Sequence, residues 1–415
     1  MKRKSEVSVV KGEKTEQMVN KAISMIGGMK SIVKKGDIVL IKPNICLPLP
    51  PEKGDATDPV VVASLVKLAK AAGASRVIVG ESGGWGLYMP DNFEISEIGE
   101  YVRKAGAELS YFDEEERIEL EVPNGILLRR VNLPKIVKDV DVIIDVPKMK
   151  NNFVTMVTLG IKNLLAFLSP EDRYSIHRGV NGVELAYVIV DLLKVVKPNL
   201  TVIDGIIAME GFGPHSGDLI RMDVIIAGKD IVAVDAVASE IMGYQAMEIP
   251  TTQIAAKQHL GVGDLSKIVI KGKKIEDVRK HFTRPMFTYI SDHPNVTTYF
   301  GGVCCGCVYR IPETEAAIGI DPKKKYALVF GRKVNLPKKI DADEIWLVGD
   351  CTAPYRNKYK NTVFVAGCPP LKWYIHAVRL PHWSKEYGRE FHTYPVNIEK
   401  QTEDIMRARK RLSTK

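Results

Sequence analysis

Short β-branched runs alternate with longer segments of helical period along most of the chain, a pattern that predicts βαβ units and a mostly parallel sheet. Strands are expected at 7–10, 37–41, 76–80, 140–146, 200–203 and 223–227, each a compact apolar run. Between them, helical patterns cover 13–33, 154–168, 182–196 and 230–242, and Lys35-Gly36 closes the first. The helix at 59–72 opens on Pro59 and stops before Gly73, the usual asymmetry of helix ends. In 182–196 the polar positions Glu184, Tyr187, Asp191 and Lys194 recur every three or four residues. The remaining face is apolar and suited to cover a sheet. The stretch 108–130, with the turn Pro123-Asn124-Gly125, reads as a hairpin insertion, and 250–285 as a closing helix–strand–helix unit.

The pattern changes near residue 286. A stretch containing Pro and aromatic residues leads into Gly301-Gly302-Val303-Cys304-Cys305-Gly306-Cys307, and short apolar strands are expected at 326–331, 344–348 and 362–366. A chain of 415 residues exceeds one ordinary core. The expectation is an α/β protein with a mostly parallel, Rossmann-like layered large domain over 1–285. A smaller α/β metal-binding domain over 286–380 and a basic C-terminal segment over 381–415 would follow.

Hydrophobic residues at 45% and charged residues at 26% describe a globular chain and argue against disorder. Part of the net charge of +9 sits at 1–4 and 407–415, which read as solvated ends. No RNA-binding aromatic motif, recognition-helix pattern or zinc-finger spacing argues for nucleic acid. The basic start is followed by no apolar core, so it does not read as a signal peptide. No stretch reaches the roughly 18 consecutive apolar residues of a membrane helix. A cytoplasmic protein without a membrane partner is therefore expected. In that compartment clustered cysteines are more often metal ligands or redox groups than disulfides. The Lys, Glu, Ile and Val bias points to a thermophile, a class that also keeps intracellular disulfides.

Of the six cysteines, five fall within 304–368. Cys304 and Cys307 have the CxxC spacing that lets two thiolates bind one metal from a single turn, and Gly306 permits the tight backbone. Cys351 and Cys368 each follow the end of an expected parallel strand, the edge where ligands of open sheets gather. Four soft thiolates suit either an iron–sulfur cluster or zinc. The dispersed spacing favours a cluster of the 4Fe-4S kind, with zinc, a redox disulfide and unliganded thiols as alternatives. Cys305 could replace Cys304 as ligand, react beside the site, or simply pack.

Polar residues collect where the expected strands end. Lys42-Pro43-Asn44-Ile45-Cys46 follows 37–41 and runs on to Thr57-Asp58-Pro59; Lys148 and Lys150 follow 140–146. Lys162 and Asn163 lie in an otherwise apolar helix, and His177 in Tyr174-Ser175-Ile176-His177-Arg178. Asp204-Gly205 ends 200–203, ahead of Glu210-Gly211-Phe212-Gly213-Pro214, and Asp235 follows 223–227. The series closely resembles the family known as domain of unknown function 362, found in archaea and bacteria, over about 37–245. Its members often carry a ferredoxin-like iron–sulfur segment, which the resemblance implies for this chain as well. This chain departs from them in lacking the run CxxCxxCxxxCP. The family has no settled chemistry, so the resemblance bears on fold and cluster rather than on a reaction.

Read physically, Lys42, Asn44, Thr57, Lys148, Lys162, Asn163 and Asp235 would bind a small anionic substrate, carboxylate or phosphate, with the lysines as point charges. His177, Asp204 and Glu210 would supply the acid–base groups. Cys46, a strand-end neighbour of Lys42 and Asn44, is a candidate for the same cleft. Lys150 reads as a solvated surface lysine, and Gly83-Gly84-Trp85-Gly86 as a weak phosphate cradle. The expected function is a redox or cluster-assisted enzyme, an iron–sulfur oxidoreductase. Alternatives are a non-redox lyase, isomerase or sulfur-transfer enzyme using the cluster, and a non-catalytic electron carrier or assembly module. A ferredoxin-like electron partner and a homodimer are the macromolecular partners this function allows.

Overall fold

The computed structural model describes residues 5–83, 87–179, 182–215, 217–284, 291, 293–301, 315, 318, 320–331 and 333–365. Contacts divide them into two units, one from 1–173 and 183–285 and one from 174–182 and 286–365.

In the first unit the strands follow the apolar runs. They are β1 (Ser5–Lys11), β2 (Ile38–Pro43), β3 (Arg76–Glu81), β4 (Glu108–Tyr111), β5 (Arg117–Glu121) and β6 (Arg130–Pro134). After them come β7 (Val142–Val146), β8 (Lys148–Asn152), β9 (Met156–Thr158), β10 (Leu200–Glu210), β11 (Asp218–Gly228) and β12 (Ile268–Gly272). The main sheet runs β12-β1-β11-β10-β7-β2-β3-β4, and β8 pairs with β10 and β9 beside that path. Along the path every strand points the same way except β11, which is antiparallel to both β1 and β10. The fold is thus α/β and mostly parallel, as the alternating pattern predicts.

Both faces of the sheet are buried, which is why the strands read as near-continuous apolar runs. On one face Val39, Ile41, Val77, Val142 and Ile144 pack with Val61, Leu65 and Val66 of helix Pro59–Ala72 and Val19 and Ile23 of helix Thr15–Met25. On the other, Val7, Val9, Ile203 and Ile226 pack with Val234, Val237 and Ile241 of helix Ile231–Ile241. Asp58 and Asp230 cap the N-termini of the helices at 59 and 231 through backbone amides. No helix among the described residues is long and apolar enough to cross a membrane.

The second unit contains β13 (Val296–Phe300), β14 (Tyr326–Phe330), β15 (Glu344–Val348) and β16 (Thr362–Val365), in that order and all parallel. Its strands bury alternate side chains: Ala327, Val329, Ile345 and Leu347 in one cluster, Leu328, Phe330, Val348 and Val365 in another. The expected basic segment at 381–415 lies outside the described residues.

Several expected elements are corrected. The helix expected over 13–33 ends at Met25, because Gly27 and Gly28 both take positive φ before a 3-10 turn at Met29–Ser31. The segment 154–168 is not one helix. Asn152 Oδ1 accepts the amides of Val154 and Thr155, and this Asx turn reverses β8 into β9. Only Gly160–Asn163 is then α-helical. Strand β10 does not stop at Asp204-Gly205 but continues to Glu210, forming a long hairpin with β11. Within 108–130, β4 joins the main sheet beside β3; the antiparallel ladder is β5–β6, turning through Asn124 at φ 50°.

Candidate functional site

The C-terminal ends of β2, β3 and β7 bring together three side chains that would be costly to bury singly. Lys42 Nζ lies 2.9 Å from Glu81 Oε2, and both side chains are fully buried. The same ammonium donates to Asn163 Oδ1 at 3.2 Å and to the Pro43 carbonyl at 3.1 Å. Asn163 Nδ2 in turn donates to Asp145 Oδ1 at 2.7 Å. Burial raises the Asp145 carboxyl well above its ordinary range, and its other oxygen has no hydrogen-bond partner among the described residues. Asn44 Nδ2 also reaches Asn163 Oδ1, at 3.2 Å, while its backbone amide donates to Thr57 Oγ1 at 2.8 Å. Lys42, Asn44, Thr57 and Asn163 therefore share one hydrogen-bonded network.

A second ion pair lies on β8 and β10, where Lys148 Nζ is 2.8 Å from Asp204 Oδ2. Asp204 also accepts the amides of Asp58 at 2.7 Å and Ile206 at 2.9 Å. With three donors and no exposure, its carboxylate is committed to holding the helix start at Asp58. Lys150 corrects the sequence reading. It is 1% exposed rather than solvated, because β8 points it at Asp55, whose carbonyl it meets at 2.8 Å and whose Oδ1 at 3.3 Å.

Asp235 does not face the lysines. Its carboxylate accepts the amides of Gly160 at 2.7 Å and Ile161 at 2.9 Å, and burial pushes its carboxyl up to about 7. It thereby fixes the start of the short helix that carries Lys162 and Asn163. The approach requires glycine: a Cβ on Gly160 would lie 2.9 Å from Asp235 Oδ1, from Ile231 and from Thr201.

Lys162 is half-buried, and burial draws its ammonium down to about 8, with the Cys46 sulfur the strongest charge opposing that shift. Lys150, Arg173 and Lys42 press it the same way as burial does. Among the described residues, Lys162 is the one lysine of the four that has neither ion pair nor hydrogen bond.

Beside these groups lies a chain that sequence reasoning missed. Cys46 Sγ is 3.6 Å from His215 Nε2, and His215 Nδ1 is 2.6 Å from Asp55 Oδ1. Asp55 is fully buried, the His215 side chain is 24% exposed, and Cys46 is half-buried. Burial opposes the imidazolium, yet the Asp55 carboxylate and the Cys46 sulfur raise His215 to about 9. Burial likewise opposes the thiolate, but His215 outweighs it and holds Cys46 below its ordinary range. Asp55 itself is held well below the usual carboxylate range by Lys150 and His215 against its burial. His215 stands 169 residues from Cys46, in the connection that joins β10 to β11, so no local spacing could mark the pair.

The remaining expected residues fall elsewhere. Glu210 Oε2 accepts the Thr283 amide at 2.6 Å and bonds to none of the groups above. His177 lies on helix Pro170–Gly179, in the stretch 174–182 that groups with the second unit. Of the expected metal ligands, Cys351 sits in the 3-10 turn Asp350–Tyr355 just past β15, and Cys304, Cys307 and Cys368 lie outside the described residues, as does Cys305. The Gly83 amide donates to Asp113 Oδ2 at 2.9 Å instead of facing a phosphate, and 84–86 lie outside the described residues. Among the described residues, no group of three or more His, Cys, Asp or Glu side chains could hold a metal ion.

Residues 39–240 match the model of the family described as Domain of unknown function (DUF362). Over 239 residues the chain is 30% identical to a thylakoid-associated protein of Synechocystis sp., an alignment covering 57% of this chain and 72% of that protein. Among solved structures, the lactate racemase apoprotein from Thermoanaerobacterium thermosaccharolyticum is similar at 14% identity and a TM-score of 0.37, over 55% of this chain. The chain spans about half of that racemase, 54% of its length. A protein from Thermotoga maritima is similar at 10% identity and a TM-score of 0.37, over 77% of this chain and 72% of its own. Neither structural likeness bears on chemistry. With its matched segment spanning β2 to helix Ile231–Ile241 and the cyanobacterial relative covered over most of its length, the chain belongs to the family named Domain of unknown function (DUF362).

Proposed function

We propose that the first unit is an enzyme domain that binds a small anionic substrate at the carboxyl ends of its parallel strands, with Lys162 receiving the anion. One observation carries this. Lys42, Lys148 and Lys150 are each neutralised by a buried carboxylate, whereas Lys162 has neither ion pair nor hydrogen bond among the described residues. A half-buried ammonium surrounded by other cations gains from an arriving carboxylate or phosphate what its neighbours already draw from Glu81, Asp204 and Asp55. The strand-end location is also where open parallel sheets take their ligands. Calorimetric titration with inorganic phosphate and with small dicarboxylates tests it. Replacing Lys162 by Met should weaken binding roughly tenfold or more, the worth of one charge-assisted hydrogen bond, while Arg retains part of it. Equal affinity in all three proteins would contradict it.

The same proposal assigns an iron–sulfur cluster to the second unit and a redox or cluster-assisted role to the whole. Support comes from the CxxC at Cys304 and Cys307 and from Cys351, which follows the C-terminal end of the parallel strand β15. Iron and acid-labile sulfide in protein purified without air test this. About four of each per chain is the expected result. Stoichiometric zinc with no iron would overturn it.

A further inference from the structure

We propose that Cys46, His215 and Asp55 form a nucleophilic relay that carries an acyl group, and that its substrates are small activated acyl compounds, esters or thioesters. The preference for acyl groups bearing an anion rests on the Lys162 reading above; the relay does not.

The contacts run in line. Asp55 Oδ1 meets His215 Nδ1 at 2.6 Å, and His215 Nε2 meets Cys46 Sγ at 3.6 Å. Both ring nitrogens thereby face protein groups. The carboxylate is enclosed while the imidazole and thiol are both half-buried, as an orienting group behind an accessible base and nucleophile requires. Asp55 is held from behind by Lys150, which takes both its carbonyl and its carboxylate.

The charged groups facing the thiol are His215 and Lys150, which favour the thiolate, and Asp55, which opposes it. Lys162 adds its ammonium, with Cys46 its leading attractive charge. Cys46 is lowered and His215 raised, and both shifts favour a thiolate–imidazolium pair over the neutral one. Such a thiolate attacks an acyl carbon and forms a thioester. The leaving alkoxide or thiolate departs with the acyl carbon's bonding pair and takes the Nε2 proton of His215. Water, deprotonated by the now neutral His215, then attacks the thioester. It releases a carboxylic acid and restores thiolate and imidazolium. Asp55 stays ionised throughout and keeps Nδ1 protonated. The Lys162 ammonium, whose leading attractive charge is Cys46 and which has neither ion pair nor hydrogen bond among the described residues, would offset the charge of the developing oxyanion.

The test uses the full chain with p-nitrophenyl acetate, which is neutral, and p-nitrophenyl hemisuccinate, which carries a carboxylate. Acylated protein is quenched in acid and the adduct mapped by mass spectrometry. The expected adduct is a hydroxylamine-sensitive thioester on Cys46, absent in Cys46→Ser. It should form roughly 100-fold more slowly in His215→Gln, the worth of general acid–base assistance. Iodoacetamide alkylation of Cys46 should inflect below the ordinary thiol range in the native chain and move up in His215→Gln and Asp55→Asn. Circular dichroism establishes that each variant is folded, and where one is not, the alkylation profile of the native chain still decides. An ordinary thiol profile for Cys46, or acylation spread over other residues, would overturn the relay. Acylation of Cys46 without preference for the hemisuccinate would leave the relay standing and defeat only the anion reading.

Discussion

The carboxylate of Asp235 accepts the first amide of the helix that begins at Gly160, at 2.7 Å, and so one buried acid on another helix sets where Lys162 and Asn163 stand. Removing it leaves two buried amides, those of Gly160 and Ile161, without an acceptor. Asp235→Ala should cost about 2–4 kcal/mol, at about 1–3 kcal/mol per unsatisfied group with partial relaxation. Urea denaturation measures this, and phosphate affinity should fall with it because Lys162 loses its mount. Gly160→Ala should act alike, costing about 1–3 kcal/mol by overpacking against Asp235, Ile231 and Thr201.

Asp235 also makes stability depend on pH. Its folded carboxyl is raised from 3.8 to about 7, so the protonated form favours the fold. That contribution is fully present below 3.8 and is lost as pH rises through about 7. Relative to Asp235→Asn, which does not titrate, the native chain should therefore lose on the order of a few kcal/mol between those limits. Parallel urea curves across that range measure the difference. A constant difference would contradict the assigned burial.

His215 contributes over a different window. Its pKa is raised from 6.5 to about 9, so its stabilisation is fully present below 6.5 and disappears as pH climbs through about 9. Asp55, held low, contributes above its ordinary value of 3.8 and loses this as pH falls. Asp55→Asn should bring the His215 titration down toward 6.5, followed by the imidazole proton resonances. Retention of a titration near 9 in that variant would show that Asp55 is not its cause.

Lys42 and Glu81 pair with both side chains out of water. Replacing Lys42 by Met strands Glu81 and should cost about 3–5 kcal/mol, whereas the double replacement Lys42→Met, Glu81→Leu should cost less than the single one. Chemical denaturation of the singles and the double gives the coupling directly.

Much of this architecture is legible in residue order because both faces of the sheet are covered. The apolar runs at 37–41, 76–80 and 140–146 have no exposed face to interrupt them, and they fall within β2, β3 and β7 almost residue for residue. Lys42 and Asn44 are legible as neighbours of a site for the same reason, at the end of β2, whereas Asn163 reaches them from the short helix Gly160–Asn163. What fails is local chemistry that reverses the chain. The Asx turn at Asn152 converts an apparent helix into a hairpin, and that hairpin turns Lys150 inward to Asp55. His215 escapes because the long β10–β11 hairpin carries it to Cys46, and a strand ending at Asp204 would not build that hairpin. Glu210 likewise stands at the end of this longer strand, where its Oε2 accepts the Thr283 amide.

The uncommitted ammonium of Lys162 is open to direct titration. Lysine labelled with carbon-13 at Cε, with Lys162→Arg identifying the signal, reports its protonation with and without inorganic phosphate. The expected result is a pKa near 8 in the bare protein, because burial among cations disfavours the charge, and a clear rise when phosphate binds. A Lys162 that titrates near the ordinary value of about 10.4 and ignores phosphate would contradict the assignment of this lysine as the anion's receptor.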